Sequence, residues 1–336
     1  MQVGIYMDLR NPPRWERPWN GFYQGALEQI EEAERLGIDA VWFSEHHFWE
    51  DAYLPQPMTF AAAAAARTKR IRVGTAIVLS SLKHATDVAE QAAVIDLISG
   101  GRFELGIGAG YVIPEFKAFG ADPKRRFEAM EHLAAEVRRL WAEKIVTPQP
   151  LQERMPIWIG GMGPRSARMA GRLGERLMWP GRTSLEVYLE ALAANGHDPA
   201  DGRIGGLVQF VIADDPEAAW AQIAPHVAYQ WGTYGYYGGL DTDAPGMGLL
   251  PDLAITGVDP EAMRKREGLP LAPNVDVVTP DEAVRRLTEN FQGMPVEHIF
   301  CWTSIAGMPD DLVNRHIELL SSEVAPRVRD VGIPAP

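Results

Sequence analysis

An apolar run, Val41-Trp42-Phe43, breaks into Ser44-Glu45-His46-His47-Phe48, the pattern of a buried strand delivering titratable side chains at its C-terminal end. Imidazole exchanges a proton near neutral pH and a strand end fixes it better than a loop, so His46 is a candidate acid/base group. The plainer role for either histidine is to satisfy nearby backbone groups. Successive residues of an extended segment face opposite sides, so one metal ion would not easily take both His46 and His47. No His-x-His, His-Glu-x-x-His or Gly-x-Ser-x-Gly sequence supports a metal centre or a serine triad elsewhere.

Two glycine-rich stretches carry a different chemistry. In Gly160-Gly161-Met162-Gly163-Pro164-Arg165-Ser166, free backbone N–H groups, a helix dipole, a hydroxyl and a guanidinium can all meet one phosphate. Its plainer reading is a turn that only changes direction. Gly106-Ile107-Gly108-Ala109-Gly110-Tyr111 is a second bare strand end, suited to the close approach of a planar ring.

The elements that must position these groups alternate strand and helix. Apolar runs at 3–7, 39–44, 71–79, 102–107, 156–159, 176–179, 204–213 and 297–303 predict eight strands. Helical spacing between them, stopped by Gly37 and by Gly100-Gly101, predicts the covering helices. Thr279-Pro280-Asp281-Glu282 starts the helix before the last strand with a cap, a proline and acids in the first turn. The helix that opens at Pro216 is expected to end near Trp231, and 232–275, rich in Gly, Pro, Tyr and Asp, reads as a functional loop or insertion. The expectation is a single domain over 1–336, a (β/α)8 TIM-type barrel with an insertion before the last strand. A doubly wound sheet is the competing fold, weakened because Gly4-Ile5-Tyr6-Met7-Asp8 has no phosphate loop.

Composition narrows the function classes. The 336 residues are 46% hydrophobic and 23% charged, as in a well-packed protein, and the net charge of −13 repels phosphodiester backbones and anionic lipid. Nucleic-acid and membrane roles are therefore not expected. With no charged leader after Met1 and no bilayer-length apolar run, a cytoplasmic protein is expected. The single Cys301 lies in an apolar run and reads as a buried, inert thiol.

In this order and spacing, Ser44 to Phe48, Ile77-Val78-Leu79, His84, Glu90-Gln91, Asp96, Gly101 to Gly110, Glu115-Phe116, Phe119-Gly120 and Pro156 to Ile159 resemble the bacterial luciferase-like flavin monooxygenases over nearly the whole chain. The resemblance implies a TIM-type barrel, reduced FMN as cofactor, and His46 as the catalytic histidine beside the flavin C4a-peroxide. It places Gly163 and Ser166 at the phosphate, and a non-proline cis peptide at Thr75-Ala76 beneath the ring. Gly108, Ala109, Gly161, Met162 and Arg165 complete the implied cofactor set. One departure is Ala109, where the family commonly has a phosphate-binding arginine; Arg165, Arg125 or Arg126 could supply the charge instead. The family also includes deazaflavin (F420)-dependent enzymes.

A reactive flavin adduct needs a dry pocket. Tyr229, Trp231, Tyr234, Tyr236 and Tyr237, spaced by glycines, are expected to form a mobile aromatic lid, or else an aromatic patch packed on the barrel or at a dimer interface. Trp15, Trp19 and Trp49 could line the same mouth, and His47, Trp231 and Tyr234 are the candidate substrate contacts. The resulting expectation is a two-component monooxygenase that oxidises a small apolar or aldehyde-like molecule with O2, served by a separate NAD(P)H-dependent flavin reductase and assembled as a homodimer. The alternatives are an F420-dependent hydride-transfer enzyme and a non-catalytic partner subunit.

Overall fold

Val3, Ile5 and Met7 alternate with Gly4 and Tyr6 along the first strand, so one face meets covering helices and the other the interior of a closing sheet. The computed structural model describes residues 1–239, 259–264 and 275–332. The chain runs through β1 (Gln2–Met7), α1 (Trp19–Leu36), β2 (Ala40–Phe43), α2 (Pro57–Arg67), β3 (Arg72–Thr75), β4 (Val78–Leu79), α3 (Ala85–Ser99) and β5 (Phe103–Gly108). It continues through α4 (Ile113–Ala118), α5 (Arg126–Ala142), β6 (Ile157–Gly160), α6 (Pro164–Leu173), β7 (Arg176–Met178), α7 (Arg182–Ala194), β8 (Ile204–Val208), β9 (Phe210–Ile212) and α8 (Pro216–Gly239). Then come α9 (Pro260–Arg264), β10 (Asp276–Val278), α10 (Pro280–Phe291), β11 (Val296–Trp302) and α11 (Asp310–Leu319), followed by a π-helical turn at Leu320–Val324 and α12 (Ala325–Val328).

All pairings are parallel and the sheet closes: β1 lies between β2 and β11, β5 takes both β3 and β4, and β6, β7 and β8 complete the ring. With β3 and β4 counted as one interrupted stave, this is a closed barrel of eight parallel strands with flanking helices, the expected (β/α)8 fold. Tyr6, Trp42, Trp158, His298 and Phe300 pack ring against ring in its interior. Gly74 makes room for them, since a Cβ there would stand 2.4 Å from the Trp42 ring. Lower in the barrel Glu104 accepts from Trp158 Nε1 (2.6 Å) and faces His298 Nε2 (3.1 Å), Arg176 and Arg72. Burial alone would raise its pKa, but the basic groups outweigh that and hold its carboxyl well below the usual range.

Four local expectations differ from the structure. The strand expected at 71–79 is interrupted by a cis peptide at Ala76–Ile77, one bond beyond Thr75-Ala76. The strand expected at 204–213 breaks at Gln209, whose side chain accepts from Trp302 Nε1 (2.7 Å) and whose carbonyl accepts from Asp276 N (2.8 Å); β9 leaves the barrel to pair with β10. The helix expected to stop near Trp231 runs to Gly239. Thr233 and Tyr237 are fully buried there and Arg10 donates to Thr233, contacts that offset roughly 1 kcal/mol for each of Gly232, Gly235, Gly238 and Gly239. The start of the expected insertion is thus helical, Pro260–Arg264 is α9, and 240–258 and 265–274 lie outside the described residues. Among the described residues no helix is long and apolar enough to cross a membrane.

Candidate active site

The C-terminal ends of β1, β2 and β3 converge on one mouth. Past β2 the chain turns so that His46 N–H donates to Leu54 O (3.2 Å) while Leu54 N–H donates to Asp8 O (3.0 Å), which links the strand-two end to the strand-one end. His46 Nδ1 lies 2.9 Å from Glu115 Oε1, and the same oxygen accepts the His47 backbone N–H at 2.8 Å. An oxygen already accepting one N–H acts as acceptor toward Nδ1 as well, so Nδ1 carries the proton and Nε2 is left for exchange with a reactant. The imidazole is only 6% exposed: it stacks on Trp49 at 4.4 Å and meets the edges of Tyr53 (4.8 Å) and Tyr111 (5.5 Å). His47 faces another set of groups, Glu45 Oε1 (2.8 Å) and the Phe119 ring (4.7 Å), so the two histidines diverge as alternation requires.

The mouth is walled by aromatic rings, and its wall is pinned rather than loose. Arg10, at the end of the first strand, binds Asp51 through Nε (2.7 Å) and Nη2 (2.5 Å), and Nη2 also donates to Thr233 of α8 (2.5 Å). Its guanidinium lies 5.3 to 5.6 Å from the rings of Trp49, Tyr53, Tyr229 and Tyr234. Arg10 and Asp51 side chains are wholly buried, so removing either leaves an uncompensated charge at a cost of about 3–5 kcal/mol. Tyr234 and Tyr53 share a hydroxyl hydrogen bond at 2.8 Å, and burial raises both well above the usual phenol range, which keeps them protonated. The expected lid residues are therefore a fixed helical cap, with Trp231 against Tyr234 at 5.4 Å. Trp15 packs on His226 and on Tyr229 of that wall, and Trp19 is exposed beside Phe22 and Tyr23.

Other expected cofactor residues divide between two places. Thr75, wholly buried, donates to Gly106 O (2.8 Å) and accepts from Gly106 N (2.9 Å), so its hydroxyl is committed to β5. Ala76 O accepts from Tyr6 OH at 2.9 Å, which holds the floor of the mouth. The space that Gly108 leaves open is taken by Ile77, 2.6 Å from where a Cβ would stand, and Ala109 is buried beside it. Some distance along the rim, Gly163 caps α6 with no side chain on its N–H groups and no acid in the first turn. Ser166 is buried under Gly161, Met162 is exposed, and Arg165 stands 4.2 Å over the Phe127 ring. Arg126 lies over the same ring at 5.0 Å, whereas Arg125 is paired with Glu128 at 2.5 Å. Two guanidiniums thus flank an uncapped helix N-terminus, the electrostatics of an anion site.

Burial pushes the Cys301 thiol up to about 12, as expected of an inert thiol. Among the described residues no three His, Cys, Asp or Glu side chains stand where they could share a metal ion. Sequence reasoning quoted Glu115 without seeing its bond to His46, 69 residues away. It also passed over Asp8 and Arg10, although charged residues directly after the first apolar run were a readable signal.

A family model described as luciferase-like monooxygenase matches residues 1–294. The F420-dependent glucose-6-phosphate dehydrogenase of Amycolatopsis mediterranei is 29% identical over 187 residues, 49% of this chain and 56% of that protein. The oxygenase component of the flavin-dependent trigonelline monooxygenase of Acinetobacter baylyi is 29% identical over 168 residues, 45% of this chain and 47% of that protein. The chain spans about half the length of these curated relatives. Among solved structures, the monooxygenase RslO1 from Streptomyces bottropensis superposes with a TM-score of 0.75 and 26% identity, covering 97% of this chain and 99% of that one.

Proposed function

The chain belongs to the luciferase-like monooxygenase family, and from that premise we propose that it is the oxygenase of a two-component system, using reduced FMN and O2 to oxidise a small organic substrate. The observation that carries the reading is the His46–Glu115 pair, buried at the end of β2 within an aromatic wall. Reduced FMN, when bound, supplies the two electrons for O2. The residues present fit it. Gly163, Ser166 and Arg165, with Arg126 beside them, would hold the phosphate, and Ala76 and Ile77 would lie beneath the ring. Gly161 and Met162 shape the same turn, while Thr75, Gly108 and Ala109 support the floor from behind.

The chain's own contribution is to hold a proton and exclude water. Glu115 orients the imidazole so that Nε2 can give or take a proton near the reacting atoms. Trp49, Tyr53 and Tyr234 keep solvent from that nitrogen, and Trp231 and Tyr234 on α8 contact the substrate from above. His47, turned toward Glu45, steadies the strand end and is at most a distant substrate contact. The sequence has no nicotinamide fingerprint, and a relative is named as an oxygenase component, so reducing equivalents come from a separate NAD(P)H-dependent flavin reductase. Val94, Leu97 and Ile98 form one exposed apolar face on α3, through which a homodimer assembles. Sedimentation as a monomer at micromolar concentration would remove that last statement.

A second reading is F420-dependent hydride transfer, supported by the dehydrogenase relative and needing the same acid/base pair. Anaerobic titration with reduced FMN and with reduced F420 separates the two. Tight binding of reduced FMN, followed on mixing with aerated buffer by slow flavin reoxidation in a stopped-flow spectrometer, is the result expected of the oxygenase. Binding of F420 alone, with no reaction toward O2, would replace it.

A further inference from the structure

Beside the His46 mouth a cavity of about 490 Å³ opens between the C-terminal ends of β1 and β11 and helices α1 and α11. Asp8 and Thr303 both line it, and they are 4% and 1% exposed. Asp8 Oδ2 and Thr303 Oγ1 are buried with no hydrogen-bond partner, and Asp8 Oδ1 has only the Arg10 backbone N–H at 3.4 Å. A buried carboxylate oxygen and a buried hydroxyl, able to accept as well as donate, are both left open on one cavity wall.

We propose that Asp8 and Thr303 form a binding site for the ammonium head of an amphipathic organic cation. The nearest cation, Arg10, partly offsets the Asp8 charge through space, but its side-chain hydrogen bonds go to Asp51 and Thr233 and leave Asp8 Oδ2 open. The potential favours a positive guest: Arg17 is paired with Asp310, while Glu28 and Glu32 add acid farther along the wall. An apolar body has surfaces to lie on, since Phe22, Ala26 and Val313 line the same cavity. Burial pushes the Asp8 carboxyl up to about 7, so a bound cation relieves a charge that the fold itself leaves poorly compensated. A neutral donor would satisfy the open oxygen without offsetting the charge, and an anionic guest would add to it.

Leu54 lies between the two groups, its N–H on Asp8 O and its carbonyl on the His46 N–H, so the cavity adjoins the His46 mouth without sharing the residues assigned to the reaction proposed above. The binding site itself does not depend on that reaction, and it is tested on flavin-free protein. Hexylammonium, 1-heptanol and hexanoate, three guests of similar length and different head group, are titrated calorimetrically at about pH 8, where Asp8 is ionised and the amine still charged. Hexylammonium is expected to bind at one site, at least about tenfold more tightly than heptanol, with hexanoate not binding. Asp8→Asn, which keeps shape and removes charge, is expected to abolish the difference between hexylammonium and heptanol. Thr303→Val is expected to weaken hexylammonium a few-fold. Equal affinity for the ammonium and the alcohol, preference for hexanoate, unchanged binding in folded Asp8→Asn, or a cavity that takes none of the three and holds only water would each overturn the proposal. Should the Asp8 variant fail to fold, the head-group series on the unmodified chain and the Thr303→Val titration decide it.

Discussion

Replacing Glu115 by alanine and by glutamine tests the centre of the site in two separable ways. Glu115 is 1% exposed and its Oε1 accepts two buried donors, His46 Nδ1–H at 2.9 Å and the His47 backbone N–H at 2.8 Å. Alanine orphans both, and at about 1–3 kcal/mol for each unsatisfied buried donor the loss sums to about 2–6 kcal/mol of folding stability. Glutamine keeps a carbonyl-type oxygen in the same place, so only the charge-assisted part of each bond is lost, about 1–2 kcal/mol in all. The two variants diverge again at the reaction. With glutamine the imidazole keeps its orientation and its Nδ1 proton; with alanine it is free to turn within the aromatic box. Urea unfolding gives the first quantity, and stopped-flow absorbance gives the rate at which air oxidises reduced FMN on the protein. The expected outcome is a rate within about threefold of the parent for Glu115→Gln and changed by about tenfold or more for Glu115→Ala. If alanine and glutamine are equally stable, the two-donor account of Glu115 is wrong. Equal rates would mean that Glu115 does not position His46.

The other expectations concern the proton, the phosphate and the pH range. His46→Ala should bind reduced FMN nearly as the parent does while turnover falls by about 10²-fold or more, and normal turnover or failure to fold would withdraw its catalytic role. Ser166→Ala should weaken FMN several-fold, about 1 kcal/mol for one net hydrogen bond, and an unchanged dissociation constant would move the phosphate away from α6. Burial lowers the His316 pKa to about 4, and its Nδ1 accepts the Ile212 N–H at 2.8 Å. The folded state thus resists a proton that the unfolded chain takes up near 6.5. Its stability is whole above that value and declines as pH falls toward 4, by about 3 kcal/mol at the limit. Urea midpoints at several pH values should show this decline flattened in His316→Gln, which keeps an acceptor without a titrating group; parallel curves for the two proteins would refute it.

Much of the architecture was legible because its causes are local. The short apolar runs at 3–7 and 297–303 and the helical spacing between strands follow from side-chain geometry within a few residues, and they suffice to point to eight strands with helices outside. The strand end at His46, the Gly-rich turn before Ser166 and the buried Cys301 were legible for the same reason. What the sequence could not show are relations created by barrel closure. Glu115 meets His46 only because the loop after β5 folds back over β2, and nothing at a spacing of 69 residues announces it. The stretch at 232–239 has the glycines of a loop but becomes helix because Thr233 bonds Arg10 and Tyr237 is buried, a gain that local propensity does not contain. Among three arginines that could face a phosphate, only packing shows that Glu128 occupies Arg125 while Arg126 and Arg165 share the Phe127 ring. Asp8 stands in the sequence only as the residue after an apolar run, and its place as an unpartnered buried acid arises only where Thr303, nearly the whole chain away, closes the cavity wall beside it. Residue types and their periodicity decide which chemistry is available, whereas the contacts that orient a proton or leave an acceptor open are long-range, and only the folded chain makes them.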